Sequence, residues 1–384
     1  MRNICYYGTA NLIITLENLM LILIIHQNSL TINYKIYQLF KKKSSLQRYG
    51  QIIRTDKNLL WDKFNSQGKL VAQSTLAIPE TTLDFEAIIS HPFLNKHEYD
   101  IVVHKFSCGG DEFTKITRLT AQTVDKLAEL AHLAPQEQPA DVALARCLLA
   151  HYPKAKHYAC FNNAFHHTLS AHNQQLLLND SSLKNYGCHG LEFLAISQRL
   201  SQLSDKKIAK GSWIVVYLEN HESTLCGIKN HKSLSCSSSY LHQNLPSLNH
   251  NGAYDSRLGR SGQQNLEQTP AALGATITEL VANETPPAQQ WINCYTSAIA
   301  NNVAAIANDL GGLNGIVFCG SLATSSPALR QQIIDKLAWL GCELANKANL
   351  ENQVKLHKKT SPIQIFALIP EIEQAMLTQL MERL

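Results

Sequence analysis

The run Met20-Leu21-Ile22-Leu23-Ile24-Ile25 opens a pattern that returns about half a chain later as Trp213-Ile214-Val215-Val216-Tyr217-Leu218. Both are short, continuously apolar stretches of the kind buried strands show. Polar residues follow each one, His26-Gln27-Asn28-Ser29 in the first and Glu219-Asn220-His221 in the second. A return strand comes next: Ile32 to Phe40 alternates apolar with polar residues, and the second copy returns through Leu225 to Ile228. Two copies of one hairpin in a single chain predict a duplicated α/β domain.

Helical signals separate the strands. Pro139 suits a first helical turn and Asp141 suits the positive helix start; the segment continues through Val142, Leu144 and Leu148, with Pro153 beyond its end. A longer helix places Ile292, Tyr295, Ile299, Val303, Ile306 and Leu310 at steps of three and four, and Gly311-Gly312 stops it. The strand Gly315–Phe318 follows directly, and helix-then-strand order builds a sheet covered by helices. The stretch 235–270, rich in Ser, Asn, Gly and Gln, reads as an active-site loop or a loose insertion.

Composition narrows the class. The 384 residues, 45% hydrophobic and 17% charged, suit a globular protein with two cores rather than a disordered chain. A net charge of +4 gives no argument for a nucleic-acid partner, and Lys41-Lys42-Lys43 reads as a solvated loop. The ten cysteines include no C-x-x-C pair and sit in apolar stretches, which predicts reduced thiols in a cytoplasmic protein. His157, His166, His167 and His172 lack metal-ligand spacing and read as structural or surface residues. Asn11 to Ile25 is interrupted by Glu17 and Asn18, so it is no membrane span. A signal peptide is one reading of this end, and a start at Met20 is another, with residues 1–19 outside the fold.

Five ordered segments carry a family resemblance: LILIIHQNSLTINYKIYQLF (21–40), VVHKFSCGGDEF (102–113), LAPQEQPADVALA (133–145), CFNNAFHHTL with KNYGCHG (160–169 and 184–190), and GGLNGIVFCGSLATSSPALRQQI (311–333). Ile363 to Glu373 fits the family's closing segment. In these the chain resembles the acetate kinases. The resemblance implies two ribonuclease-H-like (actin-like) domains with a cleft between them, one of residues 20–162 with 374–384, the other of residues 163–373. It also implies phosphoryl transfer between ATP and acetate or another short-chain carboxylate, with Mg²⁺, in a homodimer formed through the second domain. Such transfer needs positioning, cationic charge around the phosphoryl oxygens and a metal rather than covalent chemistry.

The resemblance assigns roles position by position. His189 matches a transition-state histidine, although a structural histidine would read the same. Glu373 falls at a magnesium-binding glutamate and His26 at a metal-positioning asparagine. Lys105 stands at a substrate-binding arginine, keeping the charge without the bidentate fork. His250 aligns with a second transition-state arginine, Asn162 with an aspartate, and Asn33 with a lysine on the nucleotide phosphates. The second hairpin normally turns on glycines that let backbone N–H groups approach phosphate; here it reads Glu219-Asn220-His221, and the Glu219 carboxylate repels phosphate. The third nucleotide loop is Gly320-Ser321-Leu322-Ala323-Thr324, more crowded than the family's. These substitutions predict weak or lost kinase activity. A catalytically inactive binding or regulatory protein, and a kinase rebuilt for another acid, are the alternatives.

Overall fold

A computed structural model describes residues 19–384 apart from 29–30, 56–57, 78–84, 92–93, 95–96, 176–183, 240–241, 244, 248–249 and 252–275. The first sheet comprises β1 (Leu19–Gln27), β2 (Thr31–Phe40), β3 (Lys43–Arg54), β4 (Asn58–Asn65), β5 (Leu70–Ala77), β6 (Ile101–Phe106), β7 (Thr117–Arg118) and β8 (Lys156–Phe161). Its spatial order is β5-β4-β3-β2-β1-β6-β8-β7. The hairpin read from the sequence is there: Leu19 pairs with Phe40 and Gln27 with Ile32, antiparallel. The strand therefore starts one residue before Met20, while residues 1–18 lie outside the described residues. β6 and β8 then join in parallel, Ile22 opposite Ile101 and Ile101 opposite Lys156.

The second sheet comprises β9 (Ser212–Leu218), β10 (Ser223–Lys229), β11 (Lys232–Cys236), then β16 (Gly315–Cys319) and β17 (Gln364–Ala367), in the order β11-β10-β9-β16-β17. Between them lie four two-residue strands, β12 (Ser238–Ser239), β13 (His242–Gln243), β14 (Pro246–Ser247) and β15 (His250–Asn251). Third-second-first-fourth-fifth is also the order of β3-β2-β1-β6-β8, so the two halves share one plan. The mixed α/β fold is the actin-like, two-domain arrangement expected. The loop reading of 235–270 gives way to short strand pairs where the chain is described; the rest of it lies outside the described residues.

Five helices position the cleft: α1 (Gln138–His151), α2 (Gly190–Leu203), α3 (Pro286–Leu310), α4 (Ser321–Ser325) and α5 (Ile372–Arg383). α3 buries the predicted stripe from Ile292 to Leu310 against Ile214, Val216, Ile316 and Phe318. Gly311, at φ +68°, closes it by donating to the Ala307 and Asn308 carbonyls, a left-handed cap that glycine adopts without a Cβ penalty. α5 lays Met376, Leu377 and Leu380 on Ile22, Ile24 and Val103 of the first sheet. α2 spans both cores, with Leu191 in that same cluster and Phe193, Ile196 and Leu200 packed on Trp213, Val215 and Val317 of the second sheet. His189, immediately before α2, is thereby held where the two halves meet.

The predicted structural histidines are such. His157 is buried between His104 Nε2 (2.9 Å) and the Tyr152 carbonyl (3.0 Å), and His166 between Ser233 Oγ and the Cys188 carbonyl (both 2.8 Å). His167 and His172 lie at the surface. All the described cysteines are free. No described helix is long and apolar enough to cross a membrane.

Candidate active site

A cleft of about 770 Å³ lies between the strand ends of the two sheets. Its wall gathers His26, Asn33, Lys105, His189, Glu219, His221, Gly320, Ser321, Thr324 and Glu373, which come from six distant parts of the chain. Leu322 and Ala323 do not join them: both are buried in the core of the second sheet, so α4 offers the cleft only its other face. Asn162 sits beneath the wall, 1% exposed, its Oδ1 accepting from the Leu191 N–H at 3.3 Å. It supports the start of α2 rather than facing the cleft. His250 pairs through its backbone with Ser247, and its side chain lies outside what the structure describes. Asn220 Oδ1 is buried without a hydrogen-bond partner among the described residues.

His189 is the centre of charge. It has φ +56°, a conformation uncommon for residues other than glycine. Its ring stacks on Tyr217 at 4.3 Å. Nε2 lies 2.7 Å from Glu222 Oε1 and Nδ1 lies 3.6 Å from Glu192 Oε1. Burial alone would lower the imidazole pKa; Glu222 and Glu192 outweigh it and push the ring up to about 10. Burial raises the Glu192 carboxyl, but His189 and Lys105 bring it down to about 2. Deeper in, Asp141 accepts from the Ser107 N–H (2.9 Å), Ser107 Oγ (2.8 Å) and Gln27 Nε2 (3.3 Å). Burial holds its pKa above the ordinary value in spite of Lys105 and these bonds. Glu137 is shifted the same way, by burial and then by Glu222 and Asp141.

The second hairpin turn and the third loop are joined by one side chain. Glu219 accepts the Ser321 N–H at 2.6 Å and also the Ser321 hydroxyl, so its carboxylate covers the first amide of α4. Gly320, at φ +87°, is required there: a Cβ would stand 2.4 Å from the Leu218 carbonyl oxygen. Gly320 thus fixes the turn into α4, and the Glu219 carboxylate holds the first N–H and hydroxyl of that helix.

At the other end of the cleft, Glu373 Oε1 accepts from His26 Nε2 and Glu373 Oε2 pairs with Lys35 Nζ, both at 3.1 Å. Burial would raise the Glu373 pKa; His26 and Lys35 bring it down to about 2. These residues do not fit magnesium. That ion takes oxygen ligands at about 2.0–2.1 Å and keeps several waters. Here both carboxylate oxygens already have nitrogen partners, one of them an ammonium.

Sequence reasoning missed Lys35, Glu137, Glu192, Glu222 and Tyr217. Lys35 follows Asn33 by two on β2 and so shares its face. Glu192 follows His189 by three, one helical turn, so that pair was available from spacing. Glu222 and Glu137 come from other elements, and no local pattern marks them. Among the described residues, four carboxylates line the cleft (Glu192, Glu219, Glu222 and Glu373) against a single lysine, Lys105.

Comparison with known proteins agrees with this geometry. A sequence model described as the acetokinase family matches residues 21–240 and 260–379. The acetate kinase of Rhizobium meliloti is 27% identical over 308 residues, covering 74% of this chain and 77% of that protein. A propionate kinase of Yersinia enterocolitica is 24% identical over 322 residues, covering 76% and 77%. Among solved structures, the acetate kinase from Entamoeba histolytica superposes with a TM-score of 0.77 at 20% identity, covering 94% of this chain and 99% of that one. A propionate kinase from Francisella tularensis gives 0.78 at 19%, covering 94% and 98%. With the family matched along most of its length and two similar sheets meeting at a cleft around His189, the chain belongs to the acetokinase family, which implies ATP-dependent phosphoryl transfer to a carboxylate.

Proposed function

We propose that this chain is an acetokinase-family phosphotransferase whose transfer from ATP to acetate or another short-chain carboxylate is weak or lost. The observation that carries the reading is Glu219 on Ser321: the donors of the third loop are held by an internal carboxylate. A polyphosphate entering there would have to displace that carboxylate and then lie beside four negative side chains and one lysine. Removing one preorganised donor from such a site costs about 10²–10³ in rate. The Glu373 surroundings remove a second contribution, because Lys35 pairs with, and His26 hydrogen-bonds to, the carboxylate that the family resemblance gives to magnesium.

In this reading Lys105 meets the carboxylate substrate, and protonated His189 supplies positive charge toward the transferred phosphoryl group. Asn162 keeps the support of α2 but supplies no carboxylate. The chain acts in the cytoplasm, consistent with free thiols, and pairs as a homodimer through its second domain. The first domain takes residues 20–162 with 374–384, consistent with α5 lying on the first sheet, and the second takes 163–373. An inactive binding protein is the second reading; the same Glu219 contact favours it if nucleotide does not bind at all.

Hydroxylamine trapping of acyl phosphate tests the proposal. With ATP, magnesium and acetate or propionate, turnover is expected far below the enzyme median of ~10 s⁻¹. Robust turnover would overturn it.

A further inference from the structure

We propose that Cys188, His189 and Glu222 form a transition-metal site of the zinc class in the cleft wall. One sulfur, one imidazole nitrogen and one carboxylate oxygen from these residues lie within 4.8 Å of one another. Three donors of this kind, with a fourth position for water, make the tetrahedral set that zinc takes. The mixture of thiolate with imidazole selects zinc, cobalt or copper over magnesium or calcium, which require oxygen.

The local order favours ligation. His189 is 9% exposed and Cys188 1%. His189 Nε2 is ion-paired with Glu222 Oε1 at 2.7 Å, which brings two of the three donor groups together. A metal would replace the proton that the imidazole shares with this carboxylate, the two groups moving apart to the spacing of ligands on one ion. Glu192, on the far side at 3.6 Å from Nδ1, stands where a carboxylate orients a metal-bound histidine through its other nitrogen. Cys188 Sγ contacts Thr224 Oγ1 at 3.5 Å and the Ser238 carbonyl at 3.6 Å and shares a hydrogen bond with the Cys236 thiol, which a metal would displace. Binding expels the thiol proton of Cys188 and the imidazolium proton of His189 to solvent, and no oxidant or reductant takes part. The site does not depend on surviving transfer. Its consequence does rest on the kinase reading: the nitrogen that holds the metal is no longer free for phosphate.

The test uses the full chain, stripped with chelator and titrated with Co²⁺. One equivalent should bind with a thiolate-to-cobalt charge-transfer band and intense tetrahedral visible bands, and one equivalent of Zn²⁺ should abolish both. Cys188→Ser should lose the charge-transfer band, and Glu192→Gln should weaken binding roughly 10–100-fold. Cys342→Ser, a buried thiol outside the three ligands, should behave as wild type. If Cys188→Ser does not fold, Glu222→Gln, at a partly exposed side chain, supplies the same comparison through loss of affinity. No saturable one-to-one binding would overturn the proposal. So would a band that survives in Cys188→Ser, or affinity unchanged in Glu222→Gln. Because the readout is absorption without nucleotide, its failure is separate from any failure of the kinase reading.

Discussion

Single residues decide how much of the family chemistry this chain can keep. Glu219 was legible in the sequence as a charge where the family resemblance implies a phosphate loop, but its partner was not: Ser321 is 102 positions away and only the fold brings them together. Asn162 was legible as a missing carboxylate, while its present task, accepting from the Leu191 N–H, shows only in the structure. Asn162→Asp keeps that acceptor but puts a carboxylate at a position 1% exposed, so it should be less stable to denaturant than wild type. Because that carboxylate lies behind the cleft wall, it should not raise turnover in a Glu219→Gly background; a gain in turnover would contradict the supporting role assigned to Asn162. A separate pair sets acid sensitivity. Burial, and for His104 also the neighbouring His157, lowers both pKa values below the ordinary 6.5. Histidines buried neutral give stability that is present above their unfolded pKa and is lost as pH falls through the window beneath it. Unfolding midpoints should therefore drop below about pH 6.5, and less steeply in His104→Leu. Parallel pH profiles for wild type and variant would contradict this.

At the scale of elements, the hairpins and long helices were readable because each has a strict local period. β1 is a continuous apolar run, β2 alternates as the pleat requires, and α3 repeats its apolar stripe up to the Gly311 cap. The β3–β5 extension was not read. Its burial is partial and its edge carries exposed Leu70 and Val71, so no clean alternation announces it. The closing helix α5 follows β17 in sequence but covers the first sheet through Met376, Leu377 and Leu380; no local period carries that, and only the family resemblance placed residues 374–384 with the first domain. Leu377→Ala should cost about 2–5 kcal/mol, as deletion of a fully buried leucine does, measured by denaturant unfolding. A loss under about 0.5 kcal/mol, the size of a neutral surface change, would mean that α5 does not hold the first sheet.

The whole molecule is two copies of one sheet plan with the cleft at their junction, and the account turns on what fills that cleft. The proposed homodimer is checked by sedimentation, where a monomer across micromolar concentrations would contradict it. Glu219 occupies the leading donors of the loop that we propose for nucleotide. Glu219→Gly removes the carboxylate and returns the Ser321 N–H and hydroxyl to the cleft. The direct measurement is calorimetric ATP affinity of wild type against Glu219→Gly. Tightening by about tenfold or more, equivalent to ~1.4 kcal/mol, is the expected result, without recovery of turnover. Equal affinity in the two proteins would contradict the claim, because it would mean that the Glu219 carboxylate does not compete with phosphate for that loop.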